Sequence, residues 1–282
     1  MGTLIFGKSG QVAQCLMQEG PGDILALGRD DADLTVSGTA AAAIEKHRPD
    51  IVINAAAYTA VDNAEEDENA ARSLNADAVA EIARASQAVG ATFLHISTDY
   101  VFDGTQNEPY TEDHPTNPLN FYGQSKLDGE KAAIDNHGDA IVLRTSWVFS
   151  EFGGNFVKTM LRLSEERDSL TIVGDQIGGP TSARDIARTL LAIAERKQSG
   201  PGGAGLFHYQ GAPAVSWADF ARAIFAAAGR DVAVTDIATS DYPTPARRPL
   251  QTVLDCSRLE NTFGIAQPDW RKAMKNVIAT LN

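Results

Sequence analysis

The chain has 282 residues, 43% of them hydrophobic, and its 24 basic against 37 acidic side chains leave a net charge of −13. That size and composition suit one substantial α/β domain with a smaller lobe, exclude a disordered or fibrous chain, and argue against non-specific nucleic-acid binding, which needs a basic surface. No apolar run approaches the roughly 18 residues of a membrane span, no basic leader follows Met1, and Cys15 and Cys256 match no metal spacing, so a cytoplasmic protein with free thiols is expected.

Thr3–Phe6 is a short apolar run, predicted as a strand, that meets Gly7-Lys8-Ser9-Gly10-Gln11-Val12-Ala13 and a helical pattern reaching Glu19. Glycines at such a turn let the backbone approach a pyrophosphate, which then rests on the positive helix N-terminus. The spacing is GxxGxxA, with Ala13 where a third glycine would ease packing of helix on strand. A second strand, residues 23–27, ends at Gly28-Arg29-Asp30. An acidic residue there commonly holds the adenosine ribose, whereas an arginine can accept a 2′-phosphate. Arg29 therefore tilts the cofactor toward NADPH, and Asp30 keeps NADH open. In enzymes of this kind an acidic and a hydrophobic residue, here Asp33 and Leu34, flank the adenine.

Residues 39–47 read as a helix and 50–54 as a parallel strand buried on both faces, since its β-branched run does not alternate. The small residues of Ala55-Ala56-Ala57-Tyr58-Thr59 allow a cofactor to lie against the backbone at that strand's carboxyl edge. An acidic stretch, residues 61–67, opens a long helix expected to reach Val89. Within it, Asn75 is a candidate to bind backbone or a water near the tyrosine-bearing helix described next.

Residues 92–97 form the fourth expected strand, with His95 read as a packed core residue. The strand delivers Thr98, whose hydroxyl can hydrogen-bond a substrate carbonyl. After a loop rich in proline and asparagine comes Tyr122-Gly123-Gln124-Ser125-Lys126. If Pro118-Leu119-Asn120 precedes a helix, the phenol and the ammonium stand one above the other on a single face. A nearby cation favours the phenolate, so the pair can pass a proton to a carbonyl oxygen, as a ketone reduction requires. YxxxK alone also arises by chance on amphipathic helices, so its context must decide.

A fifth strand (140–145), a helix (155–166), a strand (170–173), a turn (175–181) and a helix (183–196) follow. Residues 199–205 read as a flexible connection, 206–209, 217–228 and 242–249 as pieces of a substrate lobe, and 269–281 as a closing amphipathic helix. The expected architecture is a Rossmann-type doubly wound parallel sheet over residues 1–150 and a smaller C-terminal substrate-binding lobe over 151–282, some segments of which return to the first domain. Arg247 and Arg248, with Lys158 and Arg162, are the basic residues to test against an anionic substrate.

The stretches FGKSGQVA, RPDIVINAAAYTAVDNAE, HISTDYVFDGT, PLNFYGQSKLDGEKA, RTSWVF, NFVKTMLRL, DQIGGPT and YPTPARRP cover nearly the whole chain and together resemble the dTDP-4-dehydrorhamnose reductases, extended short-chain dehydrogenase/reductases. The resemblance implies reduction of the C4 ketone of a dTDP-linked sugar by a nicotinamide cofactor. It implies that Gly7, Gly10, Gln11 and Val12 cradle the pyrophosphate, that Asp33 and Leu34 lie at the adenine, and that Ala55, Ala56, Ala57, Tyr58 and Thr59 line the cofactor edge. Tyr122 is then the proton donor and Lys126 holds the nicotinamide ribose. Val61, Thr98, Asp99, Tyr100, Trp147 and Arg247 are the residues expected at the substrate.

Two departures matter. Gly28 stands where some members carry a ribose-binding aspartate, which favours NADPH. Cys15 and Arg184 stand where some members carry acidic ligands of an interface Mg2+, which leaves that metal, and a homodimer built on it, open. Related dehydratases place an acidic pair after the strand-four threonine; here Thr98-Asp99-Tyr100 has no glutamate, which points to simple reduction, although spacing leaves 4-epimerase chemistry open. A non-catalytic NADP-binding regulatory subunit is the reading from another class, and the intact Tyr122, Lys126 and Thr98 argue against it.

Overall fold

Short apolar runs without polar alternation form the central strands of the computed structural model, which describes residues 2–200 and 202–281. The first half runs β1 (Thr3–Phe6), α1 (Gln11–Glu19), β2 (Ile24–Leu27), α2 (Thr39–His47), β3 (Ile51–Asn54), α3 (Glu68–Arg72), α4 (Ala78–Val89), β4 (Thr92–Thr98), α5 (Phe121–Asn136) and β5 (Ile141–Thr145). The second half adds β6 (Val148–Phe149), α6 (Phe156–Leu163), β7 (Ser169–Val173), β8 (Ile177–Gly178), β9 (Thr181–Ser182), α7 (Ala183–Ser199) and β10 (Gly205–His208). It closes with β11 (Val215–Ser216), α8 (Trp217–Ala228), β12 (Ala233–Ile237), α9 (Ser257–Phe263) and α10 (Trp270–Leu281).

Six strands in the order β10-β5-β4-β3-β1-β2 pair in parallel into one sheet. The chain leaves β1 for β2 on one side and returns through β3 to the other. Winding therefore reverses at the β1–β3 pair and opens a crevice beyond its carboxyl ends, where ligands of open α/β sheets bind. Alternate residues sort to opposite faces. Ile5, Ile53, Leu94 and Leu143 pack with Leu16 of α1 and Ile186 and Leu190 of α7. Leu4, Phe6, Val52 and Phe93 pack with Ile44 of α2, Val79 and Ile82 of α4 and Ala133 of α5. α7 and β10, late in the chain, thus belong to the sheet layers. The lobe has its own core, where Phe149, Met160, Ile172, Phe220, Phe225, Trp270 and Met274 come together. Each fully buried Phe or Met there contributes about 1.5–3 kcal/mol over exposure.

The expected long helix to Val89 forms from Glu68 onward, with a π-helical turn within it. A 3-10 turn at Asn63–Glu65 and the short α3 precede the π-helical turn at Ser73–Asp77, after which α4 continues to Val89. The wide turn lodges the buried Asn75 against α5, where a Cβ added at Gly129 would sit 2.0 Å from the Asn75 carbonyl oxygen. The helix expected over 155–166 ends at Leu163, because the N–H groups of Glu165 and Glu166 turn back to the carbonyls of Arg162 and Leu163. No described helix is long and apolar enough to cross a membrane.

Candidate active site

The N-terminus of α5 is fixed from three directions. Asn120 is extended and its Oδ1 accepts the Gly123 N–H at 2.8 Å, a side-chain cap, while its Nδ2 donates to the Arg247 carbonyl at 2.8 Å. Glu65 accepts the Phe121 N–H at 2.7 Å. At Gly123 an added Cβ would lie 2.2 Å from the Tyr100 carbonyl oxygen, so the helix start is pressed onto the turn that follows β4. Tyr122 and Lys126, one turn apart, are thereby set in the wall of a cleft of about 900 Å³ at the carboxyl edge of the sheet.

The Tyr122 ring and Thr98 line the cleft together, and the Tyr100 ring meets Tyr122 edge-on at 5.8 Å between centroids. Burial pushes the phenol up to about 12, and Thr98 offsets only part of this. The expectation that Lys126 favours the phenolate is corrected on this point. Lys126 Nζ donates down into β4, to the Ile96 carbonyl at 2.7 Å, and lies 3.4 Å from His95 Nε2. Burial pushes Lys126 itself down to about 8, opposed by Glu130. The third titrating group is Asp99, which burial pushes up to about 6 against a hydrogen bond from Thr98 Oγ1 at 3.0 Å. A protonated phenol, a hydroxyl beside it and a lysine of lowered basicity can deliver a proton to an oxygen bound between them.

Along the β1–β3 side the cleft fits a dinucleotide. Gly7 has φ 96° and its missing Cβ would lie 2.7 Å from the Ala56 nitrogen, so glycine is required. Gly10 caps α1 without any side-chain bond, which leaves the first-turn N–H groups to an anion. Gln11 reaches across to the lobe, its Oε1 accepting from Ser150 Oγ at 2.8 Å and Asn155 Nδ2 at 3.0 Å. Arg29 is 75% exposed, with Nε 3.9 Å from Asp33 Oδ2, a contact weak enough to yield to a phosphate. Asp33 also accepts the N–H and hydroxyl of Thr35, which lowers its carboxyl below the usual range.

At the lobe end, Trp147 adopts φ 46°, rare for a bulky residue, and its ring stacks on Trp217 at 3.5 Å and 7°. Behind it, Gly178 has no room for a Cβ, which would lie 2.7 Å from Trp147 Cε2.

Gly7, Gly10, Gln11, Val12, Arg29, Asp33, Leu34, Ala55, Ala56, Ala57, Thr59, Val61, Thr98, Asp99, Tyr100, Tyr122, Lys126 and Trp147 all line this one cleft. Tyr58 and Arg247 are not among its lining residues. The Tyr58 peptide is instead clasped by Asn75, which accepts its N–H at 2.8 Å and donates to its carbonyl at 3.1 Å, while a further bond from Asn75 reaches Ser125 Oγ at 2.9 Å. Arg247 is exposed and contributes its carbonyl to Asn120. The expected basic cluster is dispersed, since Arg248 grips Asp62 at 2.6 and 2.8 Å and Lys158 donates to the Glu151 carbonyl at 3.0 Å. Trp217 and Lys8 line the cleft without having been singled out in the sequence. The stacking of Trp217 on Trp147 depends on the lobe's tertiary packing, whereas Lys8, inside the glycine-rich turn, was there to be read. His95 is buried as expected, yet it touches Lys126.

Away from the cleft, burial pushes the Cys15 thiol up to about 12, and Arg184 is ion-paired with Glu19 and Glu151. Among the described residues no group of three His, Cys, Asp or Glu is placed to hold a metal ion.

Comparison with known proteins agrees with this geometry. The family model described as RmlD substrate binding domain matches residues 1–282. A dTDP-4-dehydrorhamnose reductase of Sinorhizobium fredii is 43% identical, over 100% of this chain and 98% of its own. A crystal structure of a dTDP-4-dehydrorhamnose reductase from Clostridium acetobutylicum superposes with a TM-score of 0.94 at 38% identity, covering 100% of this chain and 99% of that one. The dTDP-4-dehydrorhamnose reductase of Bacillus anthracis, solved in complex with NADP, has a TM-score of 0.93 at 34% identity and covers 99% of this chain and 100% of that one.

Proposed function

The chain belongs to the RmlD substrate binding domain family, and on that premise we infer that it is an NADPH-dependent reductase of a nucleotide-linked 4-keto sugar. Its reaction is the reduction of the C4 ketone of dTDP-4-dehydro-β-L-rhamnose to the hydroxyl of dTDP-L-rhamnose, the activity named for its relatives. The observation that carries this reading is the Tyr122 phenol, kept protonated by burial and set with Thr98 and Lys126 in the wall of the dinucleotide cleft.

NADPH, when bound, supplies the hydride that adds to C4 of the sugar. Gly7, Gly10, Gln11 and Val12 hold the pyrophosphate on the α1 N-terminus, and Ala55, Ala56 and Ala57 leave room beside β3. Arg29, next to Gly28, meets the 2′-phosphate, with Lys8 close by, its Nζ 3.9 Å from Asp31. Thr98 and Tyr122 grip the ketone oxygen, and Tyr122 gives it a proton as negative charge develops there. Lys126, one turn further along α5, holds the nicotinamide ribose. Trp147, backed by Trp217, presents a flat wall to the sugar, and Asp99 accepts from one of its hydroxyls. The substrate is thus a soluble nucleotide sugar, and the cytoplasm is the compartment consistent with it.

Incubation with NADPH and dTDP-4-dehydro-L-rhamnose, followed by NMR of the product, tests this reading. Appearance of dTDP-L-rhamnose is expected; a product of different C4 configuration would replace the proposed substrate geometry.

A further inference from the structure

Beneath the reacting groups runs a hydrogen-bond chain that the mechanism above leaves unused. The Ala56 N–H donates to Asn54 Oδ1 at 3.1 Å, which fixes the way the Asn54 amide faces. Asn54 Nδ2 must then donate to His95 Nδ1, 3.1 Å away. An imidazole that accepts at Nδ1 carries its proton on Nε2. That N–H points at Lys126 Nζ, 3.4 Å away, and Lys126 in turn donates to the Ile96 carbonyl at 2.7 Å. Asn54, His95 and Lys126 are 1%, 0% and 2% exposed, so no bulk water relieves a mismatch. A neutral amine offers its lone pair to the Nε2–H while still donating to the Ile96 carbonyl. An ammonium, by contrast, meets the Nε2–H as a second donor.

We infer that His95, oriented by Asn54, is a positioning residue that lowers the proton affinity of Lys126, so that the lysine takes up a proton from solvent when the anionic cofactor binds. This rests on the reading of Lys126 as the residue beside the nicotinamide ribose. Other groups around the lysine act in known directions. Glu130 on α5 favours the ammonium, but its carboxylate is already held by Arg144 of β5 at 2.6 and 2.8 Å and by Ser97 at 2.5 Å. Tyr122 and Asp99 both line the cleft, and Asp99 raises the phenol. Burial holds His95 itself well below the ordinary histidine range, so it stays neutral throughout. Burial likewise brings Lys126 down to about 8, where a modest change of surroundings changes its charge.

Calorimetric titration of NADPH into the protein at about pH 8.5, in buffers of different ionisation enthalpy, counts protons taken up on binding. A substantial fraction of one proton per NADPH is expected for the wild type. In His95→Asn, which keeps a partner for Asn54 but withdraws the Nε2–H, and in His95→Gln, which puts an acceptor near Nζ, uptake should fall toward zero. The alkaline limb of the pH–rate profile should move up by about one unit in both. Equal uptake in wild type and both variants overturns the role of His95. If neither variant folds, the wild type decides alone, since zero uptake between about pH 7.5 and 9 also overturns it. Proton-linked binding of NADPH without reduction of the sugar would instead overturn the proposed reaction and leave His95 in place.

Discussion

In the proposed mechanism Tyr122 serves as proton donor because of where its ring is, not because of a charge beside it. Burial keeps the phenol protonated. Removing only the hydroxyl isolates that role. Tyr122→Phe should lower kcat by about 10²–10⁴-fold with little change in NADPH affinity, checked by initial rates and fluorescence titration. Asp99 makes a separate prediction with a defined sign. Its carboxyl releases a proton near 3.8 in the unfolded chain and at about 6 in the folded one, so between these values the folded state holds more protons and stability falls as pH rises. Above about 6 the cost is complete. Asp99→Asn should therefore stabilise the protein at neutral pH, by up to about 3 kcal/mol. The gain should shrink as pH drops below about 6 and vanish by about 4, as urea unfolding across pH would show. The same change removes an acceptor from the sugar pocket, so turnover should decline while stability rises.

At the scale of elements, the catalytic helix is held by features of different legibility. The β1–turn–α1 unit and the strand-to-Thr98 delivery were readable because local sequence determines them: glycine spacing, β-branched runs, a polar residue at a strand end. The π-helical turn was not, because its cause is a set of bonds between Asn75, Tyr58 and Ser125, residues far apart in the chain. The cleft-facing role of Trp217 was hidden for the same reason, since the start of an apolar helix does not announce what its first ring will stack upon. Adjacent arginines look alike in a sequence, and only the fold shows that Arg248 turns inward to Asp62 while Arg247 stays exposed. The contact between α5 and the π-helical turn should be intolerant of added volume. Gly129→Ala must move a backbone carbonyl, and a loss of about 1–3 kcal/mol in denaturant unfolding is expected.

For the whole molecule, one sheet edge serves both ligands. In the proposed mechanism the β1–β3 side takes the dinucleotide and the ends of β4 and β5 meet the lobe, so that the hydride donor and the proton donor face a common space from different elements. Gln11 spans the two halves through Ser150 and Asn155, which ties the glycine-rich turn to the lobe. The chain is acidic overall, so local cations have to recruit the phosphates. Arg29→Ala should weaken NADPH by about tenfold while leaving NADH nearly unchanged, and equal losses for both cofactors would remove Arg29 from 2′-phosphate recognition. The most direct measurement compares wild type and Tyr122→Phe for sugar-dependent loss of NADPH absorbance, with dTDP-4-dehydro-L-rhamnose generated in place. Rapid oxidation by the wild type and near-complete loss in Tyr122→Phe are expected. Unimpaired oxidation by the variant would contradict Tyr122 as the proton donor, and a wild type that binds NADPH but never oxidises it would contradict the reductase itself.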